Sequence, residues 1–567
     1  MAGAFVVTSR LWVDPASRMV AGNPNDSDSF AWMMRYTALA ISHGELPALV
    51  TKAMNAPVGI SMMWNNAMLV PGIILTPVTL WLGPQVSLNL LLTFGFAGSA
   101  AAMLVALRHW GVSLPGSALG GVVYGFSPAL LHSAIGHYNL QFMVLPPLIA
   151  DIALRLCLRR AQPVGGGLLL GVLVAAQLYI SSEVLLTTAL ATILILVVLA
   201  LSRPRAVPRL LRPAASGLGI AVGTWLLLAG RGLWIEFVGP LHEHGSAFLF
   251  DFYKNDVTGF ITPSGSLLFH TAGAAAQAAR YQGGPPEYLA YLGVPLIIVL
   301  AGTAVLGWRR LQVRAVAVCL IALELLSLGA HPLVSGTVHP GAILPWQWIG
   351  HLPLISAVLP DRLSLVADGA AGALIAFAFD MALSAVRRNA DASRARTIAL
   401  AGALVTAVSV VPLIPLPLRT EPTAGLPAGW TAAFVSLHLS PGARVLAVPV
   451  PTATLTDAMR WQAESGERIS LNAGYFEGPA SNGQAYVEGG GLPPLAYYLD
   501  NLWTGSAPGP APTPAEAAAA LSGWNPTAVV AVVGNRPALK SYLTAILGQP
   551  SFTRGQVLVW RMHRAAS

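Results

Sequence analysis

Apolar positions along the chain fall in long unbroken runs rather than in strand-like alternation or a one-sided helical stripe. Several runs approach the ~20 residues that a helix needs to cross a bilayer. Ten stand out, at about 87–107, 111–126, 140–158, 164–181, 184–201, 214–232, 287–306, 313–329, 363–385 and 397–415. They predict a polytopic α-helical membrane protein with about ten spans. The stretch 66–83 is apolar too, but Pro71, Pro77 and the following Pro84 interrupt it. It reads as a helix lying along the interface rather than crossing.

Polar stretches divide the rest. Residues 1–65 read as an external loop with short helices, and two further long external loops are expected at 233–286 and 330–362. Together these make a membrane domain over 1–415. Residues 416–440 form a Pro-rich linker. Beyond it the pattern becomes that of a small α/β domain over 441–567, with strands at Arg444–Val450, Thr527–Val533 and Gln556–Arg561 and helices at Leu455–Glu464 and Arg536–Leu547. This part has no Gly-rich phosphate fingerprint and no nucleophile elbow.

Composition agrees, with 55% hydrophobic and only 10% charged residues. The 32 Lys+Arg against 24 Asp+Glu do not make a nucleic-acid surface, because the excess is mostly arginine placed between apolar runs. Arg108, Arg155, Arg159, Arg160, Arg203, Arg205, Arg209, Arg212, Arg309, Arg310, Arg314, Arg387, Arg388, Arg394 and Arg396 all fall in alternate connections. Those connections are therefore cytoplasmic, and the 1–65 loop and everything after 415 are extracytoplasmic, in a plasma (inner) membrane. Cys157 and Cys319 lie in or beside apolar runs, which supports neither a disulfide framework nor a zinc site. Met1–Val13 has no charged region ahead of its short apolar run, so no cleavable signal peptide is expected.

In a chain so poor in charge, Asn23-Pro24-Asn25-Asp26-Ser27-Asp28 draws attention. Asn25, Asp26 and Ser27 read as a turn and helix N-cap, which sets Asp26 and Asp28 at the positive end of a helix. Carboxylates so spaced can take a proton from a hydroxyl, share a divalent cation such as Mg or Mn, or merely cap the helix.

The acidic loop, with Asn55-Ala56-Pro57-Val58-Gly59, Met63-Trp64-Asn65 and the corner Phe126-Ser127-Pro128-Ala129 to Gly136-His137-Tyr138-Asn139, resembles the C-type glycosyltransferase superfamily. These are multispanning enzymes that use polyprenyl-phosphate sugars. Within it the chain is similar to actinobacterial membrane proteins sharing Leu344-Pro345-Trp346, His351-Leu352-Pro353, Leu359-Pro360-Asp361-Arg362 and Gly474-Tyr475-Phe476. The resemblance implies transfer of a sugar from a polyprenyl-phosphate donor to a glycan, lipid or protein acceptor, with Asp26 or Asp28 as the catalytic acid residue of the first loop. Superfamily members carry a membrane helix before that loop, so an in-frame apolar stretch of about 20 residues is expected upstream.

Other residues gain a role in that setting, each beside a plainer one. His137 can bind donor phosphate or a metal, or act as an interfacial hydrogen-bonder. Arg362 can grip a phosphate in bidentate fashion or pair with Asp361. Arg280 and Lys254 are weaker candidates of the same kind. His242, Glu243 and His244 suggest a metal cluster or an ordinary loop, and Glu183 an ionisable site or a solvated turn. Trp346 and Trp348 read as interfacial anchors. The competing functions are a lipid or polysaccharide transporter, which would show inverted repeats that are not apparent here, and a non-catalytic membrane scaffold.

Overall fold

A computed structural model describes residues 1–389, 391–466 and 468–562. Among them, six helices are long and apolar enough to cross a membrane: Pro84–His109, Leu114–Ser133, Ser182–Ser202, Pro204–Phe237, Pro360–Arg388 and Ala392–Leu413. The chain is a multi-pass membrane protein. The other four expected spans are helical but shorter, at Leu145–Cys157, Pro163–Leu178, Val294–Gly307 and Leu311–Ser327.

Local chemistry explains the shortening. Pro146 and Pro147 fix a helix start at Leu145, so the expected run from 140 is broken. Gly293, at φ +80°, starts the next helix only at Val294 and leaves 288–292 as irregular chain. A helix of 14 residues spans about 21 Å, less than the ~30 Å hydrocarbon core. The 66–83 stretch folds as two short helices, Leu69–Ile74 and Thr76–Leu82, with Pro71 and Pro77 inside their first turns.

The first loop is better ordered than short helices would be. Pro24–Ser42 is one helix of 19 residues, with Asn23 as N-cap and Pro24 at its first position. The cap therefore lies two residues earlier than the Asn25–Ser27 reading, and Asp26 sits in the first helical turn.

The terminal part is built on a five-stranded sheet. In spatial order its strands are Phe552–Arg554, Val557–Arg561, Ala528–Val532, Arg444–Val448 and Ser470–Leu471. The central pair is parallel, with Val445 opposite Ala528, and Val557–Arg561 runs antiparallel beside it. The strands Arg444–Val448 and Ala528–Val532 are almost wholly buried, which is why each reads as a continuous apolar run. Residues 563–567 of the expected terminal domain lie outside the described residues.

This part is stitched to the first loop. Arg18–Val20 pairs with Thr420–Pro422, and Ala56 N–H donates to Leu471 O at 2.9 Å while Leu471 N–H donates to Ala53 O at 3.0 Å. Asn65 exchanges two 2.8 Å bonds with the backbone of Glu477. The 472–477 segment is thereby held against residues 53–65 of the first loop.

Candidate active site

Asp26 and His137 meet because two backbone devices interlock. Asn23 accepts from Asp26 N–H at 3.4 Å, and its amide donates to Asp26 Oδ2 at 2.6 Å. Gly136, at φ +89°, packs so closely on Asn23 that a Cβ would come within 2.7 Å of Nδ2. Only glycine fits there, and the next residue is delivered to the carboxylate. His137 Nε2 lies 3.1 Å from Asp26 Oδ2 and its Nδ1 lies 3.7 Å from Glu287 Oε1.

Each partner favours the charged form of the other. Burial opposes ionisation of Asp26, but the bonds and charge of His137, with the Tyr475 phenol, hold its carboxyl below the usual range. Burial likewise opposes the imidazolium, but Glu287 and Asp26 outweigh it and raise His137 above its ordinary value. Tyr475 comes from the terminal part, and Gly474 before it abuts Met54 of the first loop too closely to carry a side chain.

Arg362 completes the cluster from the other side. Its Nη2 donates to Glu287 Oε1 at 3.0 Å and its Nη1 to Glu183 Oε2 at 2.7 Å. Glu183 also accepts from Leu359 N–H at 3.2 Å, so it is a bridging group and not a solvated turn. Both ends of the guanidinium fork are filled by carboxylates. The reading of Arg362 as a bidentate phosphate clamp does not match this geometry, nor does a simple pair with Asp361, whose carboxylate oxygens are buried without a hydrogen-bond partner.

Asp28 faces elsewhere. Two residues along a helix turn the side chain by about 200°, which carries Asp28 to the terminal part. There Arg460 Nε lies 3.2 Å from Oδ1 and Thr456 donates to Oδ2 at 2.9 Å. Asp26 and Asp28 therefore neither act as a pair nor share a cation. Among the described residues no group of three or more His, Cys, Asp or Glu side chains is arranged to hold a metal. That includes His242, Glu243 and His244, where His242 Nδ1 is instead 2.8 Å from Gly239 O. The Asp26/Asp28 pair on which the Mg or Mn reading rests is thus split between two places.

The remaining candidates separate as well. Arg280 is exposed, and its side chain makes none of the contacts that join Asp26, His137, Glu287 and Arg362. Lys254 pairs with Asp251 at 2.6 Å. Trp346 is a core residue and Trp348 is exposed.

Compared with known structures, the chain superposes over its full length on the arabinofuranosyltransferase AftD from Mycobacteria, with a TM-score of 0.56 and 15% identity. The fold is that of the C-type glycosyltransferases. The chain spans about two-fifths of that protein, 39% of its length. ArnT from Cupriavidus metallidurans matches at a TM-score of 0.46 and 13% identity, over 99% of this chain and 96% of that one. The Archaeoglobus fulgidus oligosaccharyltransferase matches at 0.44 and 11%, over 90% and 65%. No protein-family model matches the chain, and no curated protein matches it by sequence.

Within this C-type fold, the residue that sequence reasoning missed is Glu287, which joins His137 to Arg362. The apolar pattern alone makes it the first residue of a span. The signal against that was Gly283-Gly284-Pro285-Pro286, a turn whose glycines take φ of +82° and +77° and set Glu287 at the end of a tight 3-10 turn.

Proposed function

We propose that the protein is a membrane glycosyltransferase that moves a sugar from a polyprenyl-phosphate donor to a glycan, lipid or protein acceptor outside the cytoplasm. Nucleic acid is not a partner. The observation that carries the reading is the ionised Asp26 beside His137, at a loop end of a bundle with the C-type fold. The one-sided arginines favour an extracytoplasmic position for that end and for the terminal α/β part.

The reaction is a single inverting displacement. The acceptor hydroxyl oxygen bonds to the sugar C1 as the bond from C1 to the phosphate oxygen breaks, and polyprenyl phosphate leaves with the electron pair. The hydroxyl proton passes to Asp26. A carboxylate held below its usual pKa is a weak base, so the transfer comes late, when the attacking oxygen has become acidic by bonding to C1. His137 keeps Asp26 ionised and aimed, and Glu287 keeps His137 charged. Arg362 positions Glu287 and is not a phosphate ligand. The terminal part supplies Tyr475 to the same carboxylate, so it belongs to the site.

Purified protein in nanodiscs, given polyprenyl-phosphate sugars and cell-envelope acceptors, should transfer sugar with inversion at C1. Asp26→Asn should slow transfer by about 10²–10⁴-fold. Transfer at the parent rate by that variant would remove Asp26 from the chemistry.

A further inference from the structure

The two long loops beside the cluster share an apolar surface that the chemistry does not use. In the first, Leu249, Phe250 and Phe252 are 80%, 46% and 39% exposed, and in the second, Trp348, Leu352 and Leu354 are 65%, 51% and 54% exposed. They form one surface because the rings of Phe250 and His351 stack, 4.2 Å apart and 18° from parallel.

The polar groups of the tip are turned inward. Asp251, at φ +62°, accepts from Ala330 N–H at 2.6 Å and His331 N–H at 3.2 Å, and pairs with the buried Lys254 at 2.6 Å. The charges that would hold this tip in water are thus spent inside, while its large apolar side chains point out. An apolar surface of this kind marks an interaction site. Both loops are tethered directly to apolar helices: the 233–286 loop follows Val207–Phe237, whose end carries the exposed Phe237 with Val238 exposed beside it, and the 330–362 loop runs directly into Leu363–Arg388. With tryptophan, phenylalanine and leucine outward and no free charge among them, the surface suits the acyl and headgroup boundary of a bilayer better than a protein partner.

We propose that the tips of these two loops insert into the bilayer leaflet at the Asp26 end, so that the cluster is presented to a lipid-linked substrate at the membrane surface. The insertion stands on the surface alone, and only its purpose rests on the glycosyltransferase reading. The inserted tip is linked to the cluster through packed rings. Phe252 meets Tyr253 edge-on at 4.9 Å, and a Cβ on Gly283, four residues before Glu287, would lie 3.1 Å from the Tyr253 ring.

Spin labels at Leu249→Cys, Trp348→Cys and Leu354→Cys, in a Cys157→Ser/Cys319→Ala background, test this in nanodiscs of phosphatidylcholine and phosphatidylglycerol. Ser481→Cys, exposed on the terminal part, is the aqueous control. Collision with oxygen relative to a water-soluble nickel chelate should be clearly higher at the loop labels than at the control, as expected for side chains buried at the acyl boundary. Ratios equal to the control at Leu249 and Leu354 would overturn insertion, whatever the transfer assay gives, and the Leu pair keeps the test open if Trp348→Cys fails to fold. Leu249→Ser/Phe250→Ser should raise KM for a lipid-linked donor with little change in kcat. Unchanged KM for that donor would remove the presenting role.

Discussion

Asp28 Oδ1 stands 3.2 Å from Arg460 Nε, across the seam between the Pro24–Ser42 helix and the terminal sheet. Arg460 is fully buried, and it also donates to Gln85 and approaches Glu464 at 3.3 Å. Burial pushes the Asp28 carboxyl up to about 6, which leaves it ionised at neutral pH beside the Arg460 guanidinium. Two aspartates in one helical turn thus hold different posts, Asp26 facing the cluster and Asp28 fastening the terminal part.

That division is testable. Asp28→Asn strands a buried cation with Glu464 as its remaining carboxylate and should cost about 3 kcal/mol, the low end for breaking a buried pair. Replacing both partners by Asp28→Leu/Arg460→Met should restore much of that stability. Thermal unfolding in one detergent compares the three proteins. An unfolding midpoint for Asp28→Asn equal to that of the parent would show that the pair is not a fastening.

Arg362 leads to a second expectation. With Glu183 and Glu287 on its two terminal nitrogens, it acts by holding carboxylates in place. Lysine keeps the charge but cannot span both, so Arg362→Lys should lower kcat by about tenfold or more while KM for the donor changes little. Glu287→Gln should reproduce the effect in part. A large rise in donor KM at unchanged kcat would restore the phosphate-clamp reading.

How much of this was readable in advance follows from what each signal depends on. Membrane character needs only a count of apolar residues, and the strand segments Val445–Val448 and Ala528–Val532 are apolar over their whole length, so both were plain. Span number was not, because a Pro-Pro or a single Gly at positive φ decides whether an apolar run is one helix or a helix plus loop. The site was half legible. Asp26 and His137 announce themselves by charge in an apolar chain and by a Gly-His corner. Their partners do not, since Glu287 and Tyr475 lie more than a hundred positions from both along the chain, and a local turn signal does not say which residues it will bring them to. For Asp28 and Arg362 too the partners are out of sight in the sequence, and what a charge does depends on which opposite charge reaches it.

His137 carries the last expectation, and its sign can be worked through. Burial alone would lower its pKa, but Glu287 and Asp26 raise it above 6.5 in the folded protein. A histidine whose folded pKa exceeds its unfolded one stabilises fully below the unfolded value and loses that contribution as pH rises through the folded value. The parent should therefore lose stability with rising pH above about 6.5, where the native state holds the extra proton. Transfer should fall over the same interval, because neutral imidazole no longer holds Asp26 down by charge. His137→Gln keeps a hydrogen-bond donor near Asp26 but cannot titrate. It should transfer more slowly at pH 6, by about tenfold, and lose the alkaline fall in both rate and stability. Unfolding midpoints and kcat/KM from pH 6 to 9, measured on both proteins, decide the matter. If the two sets of curves run parallel across that interval, His137 is not the charged partner of Asp26.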